Sequence, residues 1–223
     1  MRTISLLTLA FLWPAATHAQ SVTAHRGNIF YRAPGTPAAR QLTTSGHDRD
    51  PHLSPDGRTI AFIRRTPGDS VQTSLGRDEA TSLWVVGTDG TGERMLVRGR
   101  TAAEPEKALA LMSAPQFSPD GKQIYFLSVA WVTSGAVHAV DVASGRERFV
   151  LPGSSVEVVP SGEYAGHLLV TQHRYFIVGG TYDWVWLFTP DGNEVGPIGD
   201  GEVAVAAFRE DFFTPAEDAD KVQ

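Results

Sequence analysis

The chain has 223 residues, a formal net charge of −6 and no cysteine. The lack of cysteine excludes disulfide bonds. The length of the chain and its 42% hydrophobic content are sufficient to bury a core without them. The acidic balance argues against a nucleic-acid partner, because that function needs a basic surface.

The first segment, residues 1–19, is predicted to be a secretory signal peptide. Arg2 supplies a positive charge, an apolar run follows, and Ala19 completes an acceptable cleavage site. A membrane anchor is the alternative, but the apolar run is shorter than the about 20 residues that a spanning helix needs. We therefore expect export to a bacterial periplasm and no stable membrane span after cleavage.

Two later stretches, residues 50–62 and 114–126, repeat one pattern. Each contains Ser-Pro-Asp-Gly followed by apolar residues that alternate with polar ones. Ser-Pro-Asp-Gly favours a type I turn, because proline presets φ, Asp bonds its own backbone and glycine accepts the left-handed conformation. Alternation is typical of a half-buried strand. Each stretch is therefore predicted to be a strand, a tight turn and a second strand.

A second hairpin follows each of these stretches, and a third copy comes later. Residues 83–97, 137–151 and 185–195 carry Asp-Gly or Ser-Gly at their turns, a strong hairpin signal. The opening hairpin of the third unit is degenerate, with residues 156–163 in the place of Ser-Pro-Asp-Gly. One unit is thus four short strands, which matches a propeller blade of about 40–50 residues.

The two ends of the chain complete the scheme. Residues 27–32 and 40–43 resemble the last two strands of a blade, and residues 202–208 resemble a first strand. Pairing them would form a composite blade and close a ring without exposed sheet edges. The sequence predicts an all-β fold over residues 20–212: a small β-propeller of about four blades, three complete and one composite, before a flexible acidic tail over 213–223. An open or incomplete propeller is the alternative.

The repeated stretches resemble the TolB-type, WD-repeat-like β-propeller family, whose repeat carries an Asp-x-x-Pro-x-aromatic-Ser-Pro-Asp-Gly-like signature. Leu53 replaces the usual aromatic residue, and Ala114 replaces the leading Asp. The resemblance covers most of residues 27–208 and implies four-stranded blades. TolB itself has an α/β domain before its propeller. Strand residues here follow the predicted signal peptide directly, so we expect that domain to be missing.

The connections between strands differ in length on the two poles of the predicted propeller. Turns within each pair of strands 1–2 and 3–4 are tight, whereas the other connections contain every long segment: residues 43–50, 64–82, 97–113 and 173–183. Long loops on a rigid scaffold commonly carry binding sites. We therefore predict that this pole, called the long-loop pole, is the functional surface, and call the opposite one the tight-turn pole.

Mixed charge and one tryptophan collect on or beside these segments. The predicted ligand- or partner-binding residues are His47, Asp48, Arg49, Asp50, His52, Arg98, Arg100, Trp131, His173 and Arg174. His52 has the strongest claim, because its strand would line the central channel. His47, Asp48, Asp50 and His52 are plausible ligand types for a divalent ion, but Asp50 matches the structural Asp of the repeat. We expect no metal and no cofactor; charges that only solvate the loops are the alternative.

Catalytic motifs are missing from the sequence: it has no Gly-x-Ser-x-Gly, no His-Glu-x-x-His and no P-loop. We expect a non-catalytic exported propeller that binds a periplasmic or envelope protein, or a small ligand, through its long-loop pole; pairing of two copies through an open blade edge is allowed. The alternative is the propeller portion of a periplasmic hydrolase or polysaccharide lyase, because TolB-type propellers also resemble domains of prolyl-oligopeptidase-type serine peptidases and of some lyases.

Overall fold

A computed structural model of the chain describes residues 19–73 and 75–213. The predicted signal peptide and the predicted acidic tail lie outside the described residues, apart from Ala19 and Phe213. None of the helices in the described ranges is long and apolar enough to span a bilayer.

The described chain forms four antiparallel sheets in sequence order. The first contains β1 (Ser21–His25), β2 (Asn28–Arg32) and β3 (Arg40–Gln41). The second contains β4 (Asp48–Leu53), β5 (Thr59–Thr73), β6 (Gly76–Gly87) and β7 (Arg94–Arg98). The third contains β8 (Ser113–Phe117), β9 (Gln123–Val129), β10 (Gly135–Asp141) and β11 (Glu147–Pro152). The fourth contains β12 (Glu157–Val158), β13 (Leu168–Tyr175), β14 (Thr181–Phe188) and β15 (Glu194–Gly199). A 3-10 turn, Pro105–Lys107, and one helix, α1 (Gly201–Phe212), complete the chain.

The sheets are the blades of a β-propeller, as predicted. Their first strands, β1, β4, β8 and β12, contact one another in succession. Apolar side chains fill the space between neighbouring blades, and the largest of these cores lies between the second and third blades and includes Ala61, Ile63, Leu83, Phe117, Ile124 and Phe126. The prediction of an all-β propeller with four-stranded blades is confirmed.

The repeat is reproduced in atomic detail at the two Ser-Pro-Asp-Gly turns. The Ser54 hydroxyl donates to Asp56 at 2.6 Å, and the Ser118 hydroxyl donates to Asp120 at 2.7 Å. Gly57 and Gly121 have φ values of 69° and 70°, the left-handed conformation that glycine adopts without strain. Turns of the second, third and fourth blades line shared cavities at the tight-turn pole.

The expectation of a strand at residues 202–208 is wrong, because this segment lies within α1. Val205 and Phe208 are one helical turn apart and pack on Leu169 and Leu187 of the fourth blade. Their spacing of three, with alanines between, suits an amphipathic helix. The composite blade is therefore not formed, and β1, which the sequence did not indicate, completes a three-stranded first blade. Within residues 19–73 and 75–213 no strand pair joins the first sheet to the last, so the propeller is open.

Two of the predicted long loops are instead hairpins. Residues 64–82 belong mostly to β5 and β6, which continue to pair beyond the blade, with a bulge between Arg65 and Ser70. Residues 173–183 belong mostly to β13 and β14, which pair as far as Tyr175 and Thr181. Backbone pairing in a projecting hairpin satisfies the polar groups that a long loop would leave to water. The connection from β7 to β8 is a true long loop.

Candidate binding surface

The long-loop pole carries most of the large apolar side chains that the described chain exposes. In each of the three four-stranded blades, the hairpin between the second and third strands has one at its end: Leu75 in the second blade, Val132 in the third and Ile177 in the fourth, at 47%, 87% and 105% exposure. Leu111, in the β7–β8 connection, is also exposed. The remaining exposed examples lie on β7, β15 and α1: Met95, Val195 and Val203.

The end of the β13–β14 hairpin is the most apolar of these positions. Phe176 to Gly179 form a turn in which the Gly179 N–H donates to the Phe176 carbonyl at 3.0 Å. Ile177 and Val178 are the two central residues of this turn, and Val178 is 96% exposed. Gly179 and Gly180 have positive φ values, which allow the chain to reverse. We call residues 175–178 the fourth-blade tip.

A row of aromatic rings fixes this tip to the blade. The Phe176 and Tyr182 ring centroids are 4.6 Å apart, and those of Tyr182 and Trp184 are 5.2 Å apart. Tyr182 and Trp184 in turn pack against the core between the third and fourth blades. Offset and edge-on aromatic pairs at such distances are attractive. The tip is therefore a supported projection.

His173 and Arg174 lie on β13 just behind the tip, and both are engaged within their own blade. The His173 Nδ1 atom is 2.9 Å from Asp183 Oδ1. Arg174 donates to Glu194 at 2.6 Å, and its guanidinium lies 3.5 Å from the Trp186 ring centroid. Both side chains are thus held by carboxylates of their own blade.

Asp48 has a structural partner. Its side chain is fully buried and accepts from Arg64 Nε at 2.6 Å and from Arg64 Nη2 at 2.9 Å. Arg64 also pairs with Glu93 at 2.7 Å and lies over the Trp84 ring. The bond to Asp48, opposed by burial and aided by Glu93, raises the pKa of Arg64. This network joins β4, β5 and the turn before β7.

Arg49 and Asp50 lie where the second blade meets the third. The Arg49 side chain donates to Asp50 at 2.8 Å and to the Met112 carbonyl at 2.8 Å. Asp50 has a φ of 50°, and Ala114, at the same position of the repeat, has a φ of 49°. Both residues therefore mark a bulge that the first strands of the second and third blades share.

The two histidines of this segment each keep one buried, unpartnered nitrogen. The Nδ1 atoms of His47 and His52 have no hydrogen-bond partner among the described residues. The His52 ring lies 6.1 Å from the Phe117 ring of the third blade. Burial lowers the pKa of His52. His52 is therefore a neutral side chain packed between the first strands of the second and third blades. The sequence predicts this position beside the central channel.

Arg98, Arg100 and Trp131 are at the outer side of the long-loop pole. Arg98 is exposed, lies 3.7 Å from Asp69, and borders a cavity of about 340 Å³ with Trp84 and Met95 in its wall. Arg100 donates to Glu147 at 2.7 Å, and Glu147 lies 2.6 Å from the Nδ1 atom of the buried His138.

The Trp131 ring meets the Phe149 ring edge-on at 6.4 Å.

The predicted residues thus form several separate groups. His47, Asp48, Arg49, Asp50 and His52 lie on or next to β4, His173 and Arg174 lie on β13, and Arg98, Arg100 and Trp131 lie nearer the rim. Among the residues that the structure describes, no three His, Asp or Glu side chains converge as a metal site. The apolar hairpin ends were not predicted, although the uncharged run Tyr175-Phe176-Ile177-Val178-Gly179-Gly180 is a readable signal.

Comparison with known proteins finds peptidases and a hydrolase among the proteins that are similar to this chain. No family model matches the chain. Dipeptidyl-peptidase 5 of Trichophyton equinum is 30% identical over 106 residues, which are 45% of this chain and 14% of that protein. Dipeptidyl peptidase 4 of Porphyromonas gingivalis has a TM-score of 0.54 at 11% identity, over 82% of this chain and 31% of that one. A puromycin hydrolase has a TM-score of 0.56 at 19% identity, over 81% and 29% of the two chains.

These similarities support the β-propeller fold, and the chain spans less than a third of the length of each of these three proteins. The TolB protein of Acinetobacter baumannii is also similar, with a TM-score of 0.40 at 10% identity over 82% of this chain and 53% of that one. The β-propeller is confirmed, and the assignment to the TolB type stays a prediction.

Proposed function

We propose that this chain is a non-catalytic β-propeller that binds a segment of another protein at its long-loop pole. The observation that carries the proposal is the concentration of exposed apolar side chains on that pole, including Leu75, Leu111 and Val132. Exposed apolar surface that is concentrated on one side of a folded protein commonly marks an interaction site. The proposal includes export to the periplasm, which rests on the predicted signal peptide.

A cavity at the base of the β5–β6 hairpin supports the same proposal. Its volume is about 340 Å³, and Trp84 and Met95 give it an apolar wall beside the exposed guanidinium of Arg98. Aromatic, Met and Arg side chains are enriched in protein interfaces. This composition suits a peptide segment with an apolar side chain next to a carboxylate.

Selection of displayed peptides on the immobilised full chain tests this proposal. We expect the selected peptides to be apolar and to bind at least tenfold more weakly to the Leu75→Ser/Val132→Ser variant. Val203→Ser is the matched control, because Val203 is an exposed valine on α1 and not on a hairpin between the second and third strands of a blade. Equal losses in both variants, or losses confined to tight-turn variants such as Lys122→Ala, would reject the long-loop pole as the binding surface.

A second candidate is that the chain corresponds to the propeller portion of a peptidase. The similarity to dipeptidyl-peptidase 5 favours it, since the two sequences are 30% identical over 106 residues. In this case the long-loop pole and its cavity would contact peptide substrate or the remainder of the enzyme, and this chain alone would lack the nucleophile. We expect no hydrolysis of dipeptidyl p-nitroanilides and no labelling by a fluorophosphonate probe. Labelling of a serine in this chain would contradict both candidates.

A further inference from the structure

We propose that the fourth-blade tip inserts into the interfacial region of a zwitterionic lipid bilayer. The inference goes beyond peptide binding at the long-loop pole, because it concerns another part of the pole and another class of partner. The tip consists of Tyr175, Phe176, Ile177 and Val178, and all four side chains are exposed.

The first argument is the chemistry of the turn. Central positions of tight turns favour Gly, Asn, Asp, Ser and Pro for conformational reasons, yet here they are occupied by Ile177 and Val178. Both are almost completely exposed, so neither stabilises the hairpin by burial. Removal of this apolar surface from water is favourable, and the only way to achieve it is contact with something outside the hairpin.

The second argument is the order of side chains along the hairpin. The aliphatic residues are outermost, and Tyr175, Tyr182 and Trp184 follow behind them on the paired strands. Tyrosine and tryptophan are enriched at the boundary between hydrocarbon and water, because an apolar ring and a polar group share one side chain. This hairpin therefore has the sequence of layers that a bilayer interface presents.

The third argument is charge. Residues 175–182 contain no charged side chain, and behind them Asp183 is hydrogen-bonded to His173 and Arg174 is paired with Glu194. Insertion of the tip alone would therefore not strip water from a charged group. Binding to anionic lipids needs a cluster of basic residues beside the membrane, which this hairpin does not have, so a zwitterionic surface fits better.

Lipid fits this tip better than a protein surface does. The tip is a narrow convex projection, and the ring contacts of Tyr175 and Phe176 are with His173 and Tyr182 of the same hairpin. A stable protein interface buries about 800 Å² on each partner and needs matched shape. A bilayer interface adapts to a single projection and imposes no such match.

Co-sedimentation with phosphatidylcholine vesicles is the first test, with the full chain. We expect Ile177→Ser/Val178→Ser to bind at least fivefold more weakly than the parent chain and Val203→Ser to bind equally well. Binding should persist in 1 M NaCl, because no ion pair with lipid contributes. All variants share residues 1–20, so any contribution of that segment is common to them. Equal binding by parent and tip variant, no binding at all, or loss of binding in salt would overturn the proposal.

Quenching by brominated phosphatidylcholine locates the inserted residue directly. We expect the fluorescence of Ile177→Trp to fall in brominated vesicles relative to the parent chain, and that of Val203→Trp to stay unchanged. Equal quenching of both would overturn the proposal. Leu75→Ser/Val132→Ser should retain vesicle binding, which separates this inference from the peptide-binding proposal. If the tip variant loses selected peptides while the parent binds no vesicles, the tip belongs to a protein interface instead.

Discussion

Gln116 in the third blade occupies the position that His52 occupies in the second, and Gln116 connects its blade to the next. Its amide donates to the Val156 carbonyl at 2.9 Å and accepts from the Val158 N–H at 2.9 Å. The His52 ring faces the third blade in the same way, but its buried Nδ1 atom has no hydrogen-bond partner among the residues that the structure describes. One position of the repeat thus holds blades together by hydrogen bonds in one case and by packing in the other.

The substitution His52→Gln is expected to make the protein less sensitive to acid. Burial lowers the pKa of His52, so the unfolded chain binds this proton more readily than the folded chain does. The contribution of neutral His52 to the free energy of unfolding is therefore complete above about pH 6.5. It declines as the pH falls towards the pKa that His52 has in the folded state. Urea unfolding at pH 7.5 and 5.5 should show a smaller decline for His52→Gln than for the parent. Gln116→His is the converse control, and equal declines in all three proteins would contradict this account.

Asp48→Asn is expected to cost about 3 kcal/mol of unfolding free energy, because it removes one charge of a buried pair and leaves Arg64 with only part of its compensation. The matched control is Asp69→Asn, whose partner Arg98 is exposed and 3.7 Å away; such surface pairs contribute at most about 1 kcal/mol. Urea unfolding at pH 7 measures both. Similar costs for the two variants would show that the Asp48–Arg64 pair is not the structural element described.

Glu147→Gln is expected to destabilise the protein at neutral pH and much less in acid. Burial alone would raise the pKa of Glu147, but hydrogen bonds from His138 and Arg100 outweigh it, and the pKa is lowered. A carboxyl with a lowered folded pKa stabilises above its unfolded pKa of about 4.5, and this contribution disappears as the pH falls through the folded value.

The difference in unfolding free energy between the parent and Glu147→Gln should therefore shrink between pH 6 and pH 3. Glu104→Gln, in the exposed pair with Lys107, serves as the control and should show almost no difference at either pH. A difference for Glu147→Gln that does not depend on pH would contradict the role given to its charge.

Phe208→Ala tests whether α1 is an integral part of the fourth blade. Phe208 is buried against the sheet with Val205, and loss of a buried phenylalanine costs about 3–5 kcal/mol. Val203→Ala, at an exposed position of the same helix, should cost under about 0.5 kcal/mol. Thermal unfolding measures both, and equal melting temperatures would mean that the helix does not pack on the blade in solution.

The blades could be predicted because their signals are local. Ser-Pro-Asp-Gly fixes each turn through contacts within five residues, such as the bond from the Thr59 N–H to the Ser54 hydroxyl, and alternation fixes the strands beside it. The segment that became α1 was misassigned because residues 202–208 contain alternating valines as well as a helical spacing. Packing on Leu169 and Leu187 decides between the two, and those residues lie far away in the sequence.

The candidate site was less predictable for a related reason. Asp48 and Arg49 are charged residues beside a predicted loop, which suggests ligand binding, but their partners Arg64 and Met112 are distant in the sequence. Residues 64–82 are predicted to be a long loop because they separate two predicted strands by more than a tight turn needs. Ser70 to Thr73 nonetheless pair with Gly76 to Glu79, since backbone hydrogen bonds need no apolar side chain.

Among the described residues no strand pair joins the first blade to the last, so the blades form a linear array instead of a closed ring. In the part of the chain that the structure describes, no apolar core joins the first blade to the fourth, and the three-stranded first blade has no counterpart of the helix that covers the fourth. In such arrays, the free energy of unfolding is approximately the sum of the intrinsic stability of each unit and the energy of each interface between neighbouring units. Amide hydrogen exchange should therefore be graded, fastest in β1, β2 and β3 and slowest in the second and third blades, and fraying at one end should leave the other end intact.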